Sequence, residues 1–253
     1  MAEDASQFYT GLVAELYSPL RSAVPDAPYY ERFIRRTGEP ALELGCGDGD
    51  PMLALRSQGF EVEGLDSSAD MIDRARTRAG EMGLDVVLHL ADMRDFALSR
   101  TYPSIYLAGP SFNLLLTDDD AVAALQCIHD HLAPGGRALV PLFVPEPPST
   151  DGVPAPTTQT LDGGGTISCQ VVNVQRDEAE RTQVTLLLYR RDTDEGTTEL
   201  ERPWMLHWYT PSAFADLAAR ANLVQLTCRD LTGAPATDDS TYFVATLARV
   251  EDL

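Results

Sequence analysis

The chain is expected to fold as an α/β protein: a parallel sheet with helices on both faces, an N-terminal helical cover and a small antiparallel β insert. Three observations lead there. Between residues 40 and 143, short apolar runs alternate with amphipathic stretches, the rhythm of strand–helix–strand units. At Pro145 that rhythm stops and three strand-like runs separated by polar turns follow. From Thr210 a helical pattern and two strand-like runs close the chain, and 253 residues suffice for one large α/β domain with an added lobe.

The cover, residues 1–38, contains two helices. Phe8, Leu12, Val13, Leu16 and Tyr17 recur at helical spacing, and Pro28 suits the first turn of a second helix ending at Arg36. The cofactor-binding core, residues 39–144, opens with a strand over 40–45 and a glycine-rich turn, after which Asp50 and Pro51 suit the N-cap and first position of a helix. A second strand spans 61–66, and Ser67 or Ser68 caps a helix running to about Met82. Strands over 86–91 and 104–108 come next, then an amphipathic helix over 118–131. The turn Pro134-Gly135-Gly136 feeds a fifth strand over 137–143.

The insert, residues 145–209, begins with Pro145, Pro147, Pro148, Pro154 and Pro156. Its strands are expected over 166–174, 182–191 and 197–205, with hairpin turns at 175–180 and 192–196. Residues 210–253 return to the core with a helix over 210–221 and strands over 223–229 and 242–249.

With 39 acidic and 19 basic residues, all of the latter arginine, the chain carries a net charge of −20. That field disfavours nucleic acid and anionic membrane surfaces as partners and is compatible with a cationic small molecule. No apolar run is long enough to span a bilayer, and the acidic N-terminus lacks a signal pattern, so a cytoplasmic protein is expected. Cys46, Cys127, Cys169 and Cys228 form no CxxC pair and read as buried free thiols, so no metal site is indicated.

The segment Glu43-Leu-Gly45-Cys-Gly47-Asp48-Gly-Asp50 names a ligand class. A strand running into closely spaced glycines lets the backbone pass against a nucleotide-like ligand. Asp66 ends the next strand 21 residues after Gly45, where an acid accepts from both ribose hydroxyls. A pyrophosphate needs free N–H groups and positive potential, whereas Asp48 and Asp50 place carboxylates there and Pro51 removes an N–H. A cationic nucleoside without phosphate suits the turn better, and S-adenosyl-L-methionine is such a molecule.

Glu43-Leu-Gly-Cys-Gly-Asp-Gly, Gly64-Leu-Asp66-Ser67-Ser-Ala-Asp-Met71, Ala91-Asp92-Met93-Arg-Asp-Phe96 and Pro134-Gly135-Gly136 together resemble the successive motifs of class I S-adenosylmethionine-dependent methyltransferases. The resemblance covers residues 40–142. It implies a Rossmann-like seven-stranded methyltransferase sheet whose last two strands form an antiparallel hairpin. It also implies that Gly45 and Gly47 line the methionine moiety, with Glu43 and Ser67 in the same motifs. Asp66 would hold the ribose, Met71 pack on the adenine, and Asp92 with Met93 address the adenine's amino edge; Met71 also suits a helix core and Asp92 a turn cap.

Methyl transfer needs donor and acceptor aligned, water excluded and one proton managed. The motifs of base, protein-arginine and catechol methylation are absent, which leaves a small organic acceptor. Phe8-Tyr9-Thr-Gly-Leu-Val-Ala-Glu-Leu-Tyr17, the run from Asp92 to Leu98 and the β insert resemble methyltransferases of antibiotic pathways that act on amino sugars or lincosamide-like amines. That resemblance makes Tyr17 a cofactor contact with a catalytic role and Tyr9 an acceptor-positioning or proton-relaying residue. Asn113 stands where such enzymes often have a histidine; it cannot act as a base, so its expected catalytic role is hydrogen bonding. Phe112, Asn113, His207 and Tyr209 complete the candidate acceptor contacts.

An amine attacks once it has lost a proton to solvent, whereas an alcohol needs a positioned base that the sequence does not show. N-methylation of a secondary-metabolite amine is therefore expected. O-methylation of a sugar or polyketide hydroxyl is the alternative, and aminopropyl transfer and a non-catalytic cofactor-binding scaffold are remoter ones. Strand edges of the insert are expected to mediate a homo-oligomer.

Overall fold

Strands β1 (Ala41–Leu44), β2 (Val62–Asp66) and β4 (Tyr102–Leu107) form the centre of the main sheet, and their near-continuous burial is what a strand covered on both faces requires. The computed structural model describes residues 8–21, 26–148, 152–161 and 164–253. With β3 (Leu88–Leu90), β5 (Leu132–Phe143), β10 (Leu223–Asp230) and β11 (Tyr242–Arg249), these strands make a seven-stranded sheet in the order β10-β11-β5-β4-β1-β2-β3. β1 to β5 run parallel, whereas β11 pairs antiparallel with both β5 and β10. The chain winds outward from β1 to β3, then returns to β4 and winds the other way. The switch point lies between β1 and β4, where open α/β sheets bind ligands.

Helices α2 (Ala27–Thr37), α3 (Met52–Ser57) and α4 (Ala69–Glu81) accompany the first half of the sheet, and α5 (Asp118–His131) and α6 (Pro211–Arg220) the second. Ser68 caps α4 by accepting from the Met71 N–H, Thr117 caps α5 and Thr210 caps α6, each cap worth about 1 kcal/mol. One core cluster joins Leu42, Ile105, Phe112, Leu125, Val140, Phe214 and Phe243 between the sheet and α5 and α6. A second joins Tyr30, Ile34, Met52, Leu53 and Val62 on the opposite side.

The insert is a separate antiparallel sheet of four strands: β6 (Thr157–Thr160), β7 (Thr166–Asp177), β8 (Thr182–Thr193) and β9 (Gly196–His207). Sequence reading anticipates only the last three, because β6 is polar and exposed at every position and so carries no alternation. Ile167 and Tyr189 on the inner face of this sheet pack against Phe8, Val13 and Leu16, so the N-terminal segment with α1 (Leu12–Leu20) lies between the two sheets.

Four local expectations are corrected. Phe8 and Tyr9 precede α1 instead of sharing its face, because the helix begins only at Leu12. Asp50 does not cap α3, which starts at Met52 after Pro51 with no side-chain cap; the Asp50 carboxylate is held by arginines instead. The Pro134-Gly135-Gly136 segment lies inside β5, which begins at Leu132. Of the four free cysteines only Cys46 is buried; the others are half-buried.

Candidate active site

The glycine turn closes over the carboxyl end of β1. Gly45 and Gly47 adopt φ of 67° and 53°, which favours glycine at both. A Cβ on Gly45 would also come within 3.3 Å of Ser111, which follows β4 and lines the same cavity, described below. Three of the turn's donors are engaged: Cys46 N–H donates to Leu65 O at 3.0 Å, Gly49 N–H to Cys46 O at 2.9 Å, and Gly47 N–H to Asp66 Oδ2 at 2.8 Å. The other Asp66 oxygen accepts from Ser68 N–H at 2.8 Å. Burial raises the Asp66 pKa, opposed by these backbone donors.

Charge around the turn differs from the expectation. Asp48 is buried; it accepts from the Ser18 hydroxyl and pairs with Arg78 at 3.2 Å and Arg21 at 3.8 Å. Asp50 pairs with Arg21 at 2.5 Å and Arg78 at 2.9 Å. Two acids against two arginines leave little net charge, so repulsion by Asp48 and Asp50 does not select the ligand. The turn is a weakened phosphate cradle because the N–H groups of Cys46, Gly47 and Gly49 already have acceptors.

A cavity of about 350 Å³ lies at the switch point, within the size range of small-molecule sites. It is lined by Gly45, Gly47, Leu65, Asp66, Ser67, Ser68, Met71, Asp92 and Met93 from the first half of the sheet, and by Tyr9 and Tyr17 from the cover. Arg94, Ser111, Leu114, Leu115, Leu116, Thr117 and Asp120 form the rest of the wall. The structure thus brings together nine of the residues singled out in the sequence: Tyr9, Tyr17, Gly45, Gly47, Asp66, Ser67, Met71, Asp92 and Met93.

The tyrosine rings meet edge to face at 5.4 Å although Tyr9 lies outside the helix. Ser68 Oγ donates to Tyr9 O at 2.6 Å, Gly11 N–H to Asp70 Oδ2 at 2.6 Å, and the Arg21 guanidinium lies 5.2 Å from the Tyr17 ring centre. Burial raises the Tyr9 pKa strongly, with further contributions from Tyr17 and Asp66. Burial also raises that of Tyr17, partly opposed by Arg21. Both phenols therefore stay protonated near neutral pH.

Five candidates lie elsewhere. Glu43 sits beneath the turn, fully buried, with Oε2 accepting from Tyr106 Oη at 2.8 Å and Oε1 without a partner. Burial pushes its pKa up to about 8, against the opposing hydrogen bonds from Tyr106 and Met52. Asn113, in the 3-10 turn Ser111–Leu114, gives Nδ2 to Phe143 O at 2.9 Å and His207 O at 2.8 Å, while Oδ1 accepts from Phe143 N–H at 3.1 Å. Both amide hydrogens and the amide oxygen are engaged by backbone, and the residue is fully buried away from the cavity lining, so it does not face an acceptor there. Phe112 is buried against Phe214, ring centres 5.3 Å apart at 90°. His207 and Tyr209 are buried and bonded to each other, Nδ1 to Oη at 2.9 Å. Burial and nearby Arg181 lower the His207 pKa, so the ring is neutral.

Sequence reading missed the aliphatic stretch 114–116 and the polar residues Ser68, Arg94, Thr117 and Asp120. The available signal was position: 111–117 directly follows β4 at the carboxyl edge of the sheet and precedes the Thr117 cap. A hydrogen-bonded carboxylate ending β2, side-chain-free glycines and apolar Leu65 and Met71 fit a nucleoside whose tail carries no phosphate. Backbone N–H groups of Gly47, Ser68 and Ser67 use part of the Asp66 carboxylate's accepting capacity, and the rest is left for a ribose hydroxyl.

A doubly wound sheet ending in an antiparallel hairpin, with such a cavity at its switch point, defines the Rossmann-like methyltransferase class. Comparison with known proteins agrees. Residues 41–136 match the family described as Methyltransferase domain. Over 224 residues the chain is 30% identical to a dTDP-3-amino-3,6-dideoxy-alpha-D-glucopyranose N,N-dimethyltransferase of Streptomyces fradiae, covering 85% of each chain. The solved CcbJ methyltransferase from Streptomyces caelestis superposes with a TM-score of 0.75 at 21% identity, over 96% of this chain and 98% of that one, a likeness of fold. An amino pentose methyltransferase from Micromonospora echinaspora, solved with S-adenosylmethionine bound, gives a TM-score of 0.70 at 26% identity, over 92% and 96%. The chain belongs to the S-adenosylmethionine-dependent methyltransferases, and S-adenosyl-L-methionine is its cofactor.

Proposed function

We propose that the protein methylates the nitrogen of a small amine of secondary metabolism, an amino sugar or a similar amine. The observation that carries this reading is that, among the described residues, no carboxylate or phenol lining the cavity is poised as a free base. Asp66 accepts from backbone N–H groups, Asp92 and Asp120 are paired with Arg94, and burial keeps Tyr9 and Tyr17 protonated. A hydroxyl acceptor would need such a base, whereas an amine arriving with its lone pair free needs only alignment. The Streptomyces fradiae relative, named for N,N-dimethylation of an amino sugar, supports the same class.

The bound cofactor supplies a methyl group activated by its sulfonium. In this reading Asp66 holds the ribose, Met71 packs on the adenine, Asp92 and Met93 read its amino edge, and Gly45, Gly47 and Tyr17 admit the methionine tail. Tyr9 orients the acceptor nitrogen through its hydroxyl, and the aliphatic stretch 114–116 keeps water from the transfer path. Mass spectrometry of products from matched amine and hydroxyl acceptors tests the assignment. Methylation at nitrogen is expected, and methylation only at oxygen would overturn it.

The same reading places the enzyme in the cytoplasm, with no nucleic-acid or membrane partner, as a homo-oligomer formed through the insert. β9 is an edge strand, and Val184, Leu186, Leu188 and Met205 alternate with the inward-facing residues and are half-buried. Sedimentation should give a mass above that of one chain, reduced by Leu186→Asp; a monomeric wild-type protein would refute the oligomer.

A further inference from the structure

Asp92, Arg94, Thr117 and Asp120 all line the cavity and form one connected polar chain. Asp92 Oδ1 accepts from the Arg94 backbone N–H at 2.8 Å and from its Nε at 3.0 Å, and Asp92 Oδ2 from Arg94 Nη2 at 2.6 Å. The same guanidinium reaches across the cavity wall, with Nη1 donating to Asp120 Oδ1 at 3.1 Å. Asp120 is fixed in turn: its Oδ2 accepts from Thr117 Oγ1 at 2.8 Å, and its N–H donates to the same Oγ1 at 3.0 Å. Arg94 thus links the loop after β3 to the first turn of α5.

Two consequences follow from this geometry. A guanidinium already shared by two carboxylates is a poor receptor for a ligand's phosphate. Its bidentate grip also fixes the rotation of the Asp92 carboxylate, because an Arg–carboxylate fork is planar and directional. The one lone pair left, on Asp92 Oδ2, then points in a fixed direction, which is what recognition of an exocyclic amine requires. A 6-oxo purine has a carbonyl at that position and would meet the carboxylate oxygen to oxygen.

We propose that Asp120, acting through Arg94, is a positioning residue that holds Asp92 to read the amino group of the cofactor's adenine, so that base selectivity depends on the first turn of α5. This rests on the adenine role given to Asp92 above. The test is calorimetry with S-adenosylhomocysteine and its 6-oxo analogue, S-inosylhomocysteine, on the full-length wild type and on Asp92→Asn, Asp120→Asn and Arg94→Lys. Thermal unfolding of each is recorded alongside.

The wild type should favour the adenosine ligand by about tenfold or more, as expected for one hydrogen bond to a charged group. Asp92→Asn should erase the preference. Asp120→Asn and Arg94→Lys should each reduce it several-fold, by weakening the adenosine ligand relative to the 6-oxo ligand. Arg94→Lys keeps the charge without the fork, so it remains informative if Asp120→Asn fails to fold. If Asp92→Asn erases the preference but the other two retain it, or weaken both ligands equally, the positioning role is wrong and the adenine reading stands. If the wild type shows no preference, or Asp92→Asn keeps it, the adenine reading fails and the proposal with it.

Discussion

The Asp66 carboxylate holds the fold and borders the candidate site at once: it accepts from Gly47 and Ser68 N–H groups and lines the cavity. Asp66→Ala should raise the cofactor dissociation constant by about tenfold to a hundredfold, the loss of charge-assisted bonds worth about 1.5–3 kcal/mol. Unchanged affinity in calorimetry would refute the ribose role. Glu43 predicts a pH effect. Folded, its carboxyl holds a proton up to about 8; unfolded, it releases it near 4.3. The native state therefore binds more protons across this window, so the contribution is present below the unfolded value and is lost as pH rises through the folded one. The melting temperature should fall between pH 5 and 8 in the wild type and change less in Glu43→Gln. Asn113 and His207 show where residue type misleads: an amide and an imidazole look alike in sequence whether they face a substrate or the backbone. Here Asn113 bonds Phe143 and His207 main chain, and His207 bonds Tyr209.

At the level of elements, the N-terminal segment is tied to both sheets. Glu15 pairs with Arg191 of the insert, Gly11 bonds Asp70 of α4, and Ser18 and Arg21 bond the acids of the glycine turn. Arg21→Ala removes part of the tie to the turn and should speed cofactor dissociation in stopped-flow measurements; an unaltered rate would show that α1 does not control access. Asn113→Ala should lower the melting temperature measurably, since it deprives two carbonyls and one N–H of a partner at about 1 kcal/mol or more each. The main-sheet elements were legible because apolar strands and capped helices alternate at short range. β6 was not, since Thr157–Thr160 is exposed throughout and owes its strand to pairing with β7. The meeting of Tyr9 and Tyr17 does not come from one helix face, because α1 begins only at Leu12. It arises instead from the turn at residues 8–11, whose path is set by Ser68 and Asp70.

Across the whole molecule, the charge of −20 gives way to local pairing at the site. Asp48 and Asp50 are matched by Arg21 and Arg78, and Asp92 and Asp120 by Arg94. The ligand class was legible from the glycines and the acid ending β2; the reason phosphate is disfavoured was not, because it depends on which N–H groups fold onto which acceptors. In the proposed reaction the chain aligns donor and acceptor without offering a free side-chain base. Tyr9→Phe should therefore lower turnover more than cofactor affinity, and the reverse would make Tyr9 a cofactor residue. The most direct measurement is the pH dependence of kcat/KM for two acceptor amines of different basicity. The acidic break should move with the pKa of the acceptor amine; a break that stays at one pH for both amines would show that a group on the protein takes the proton.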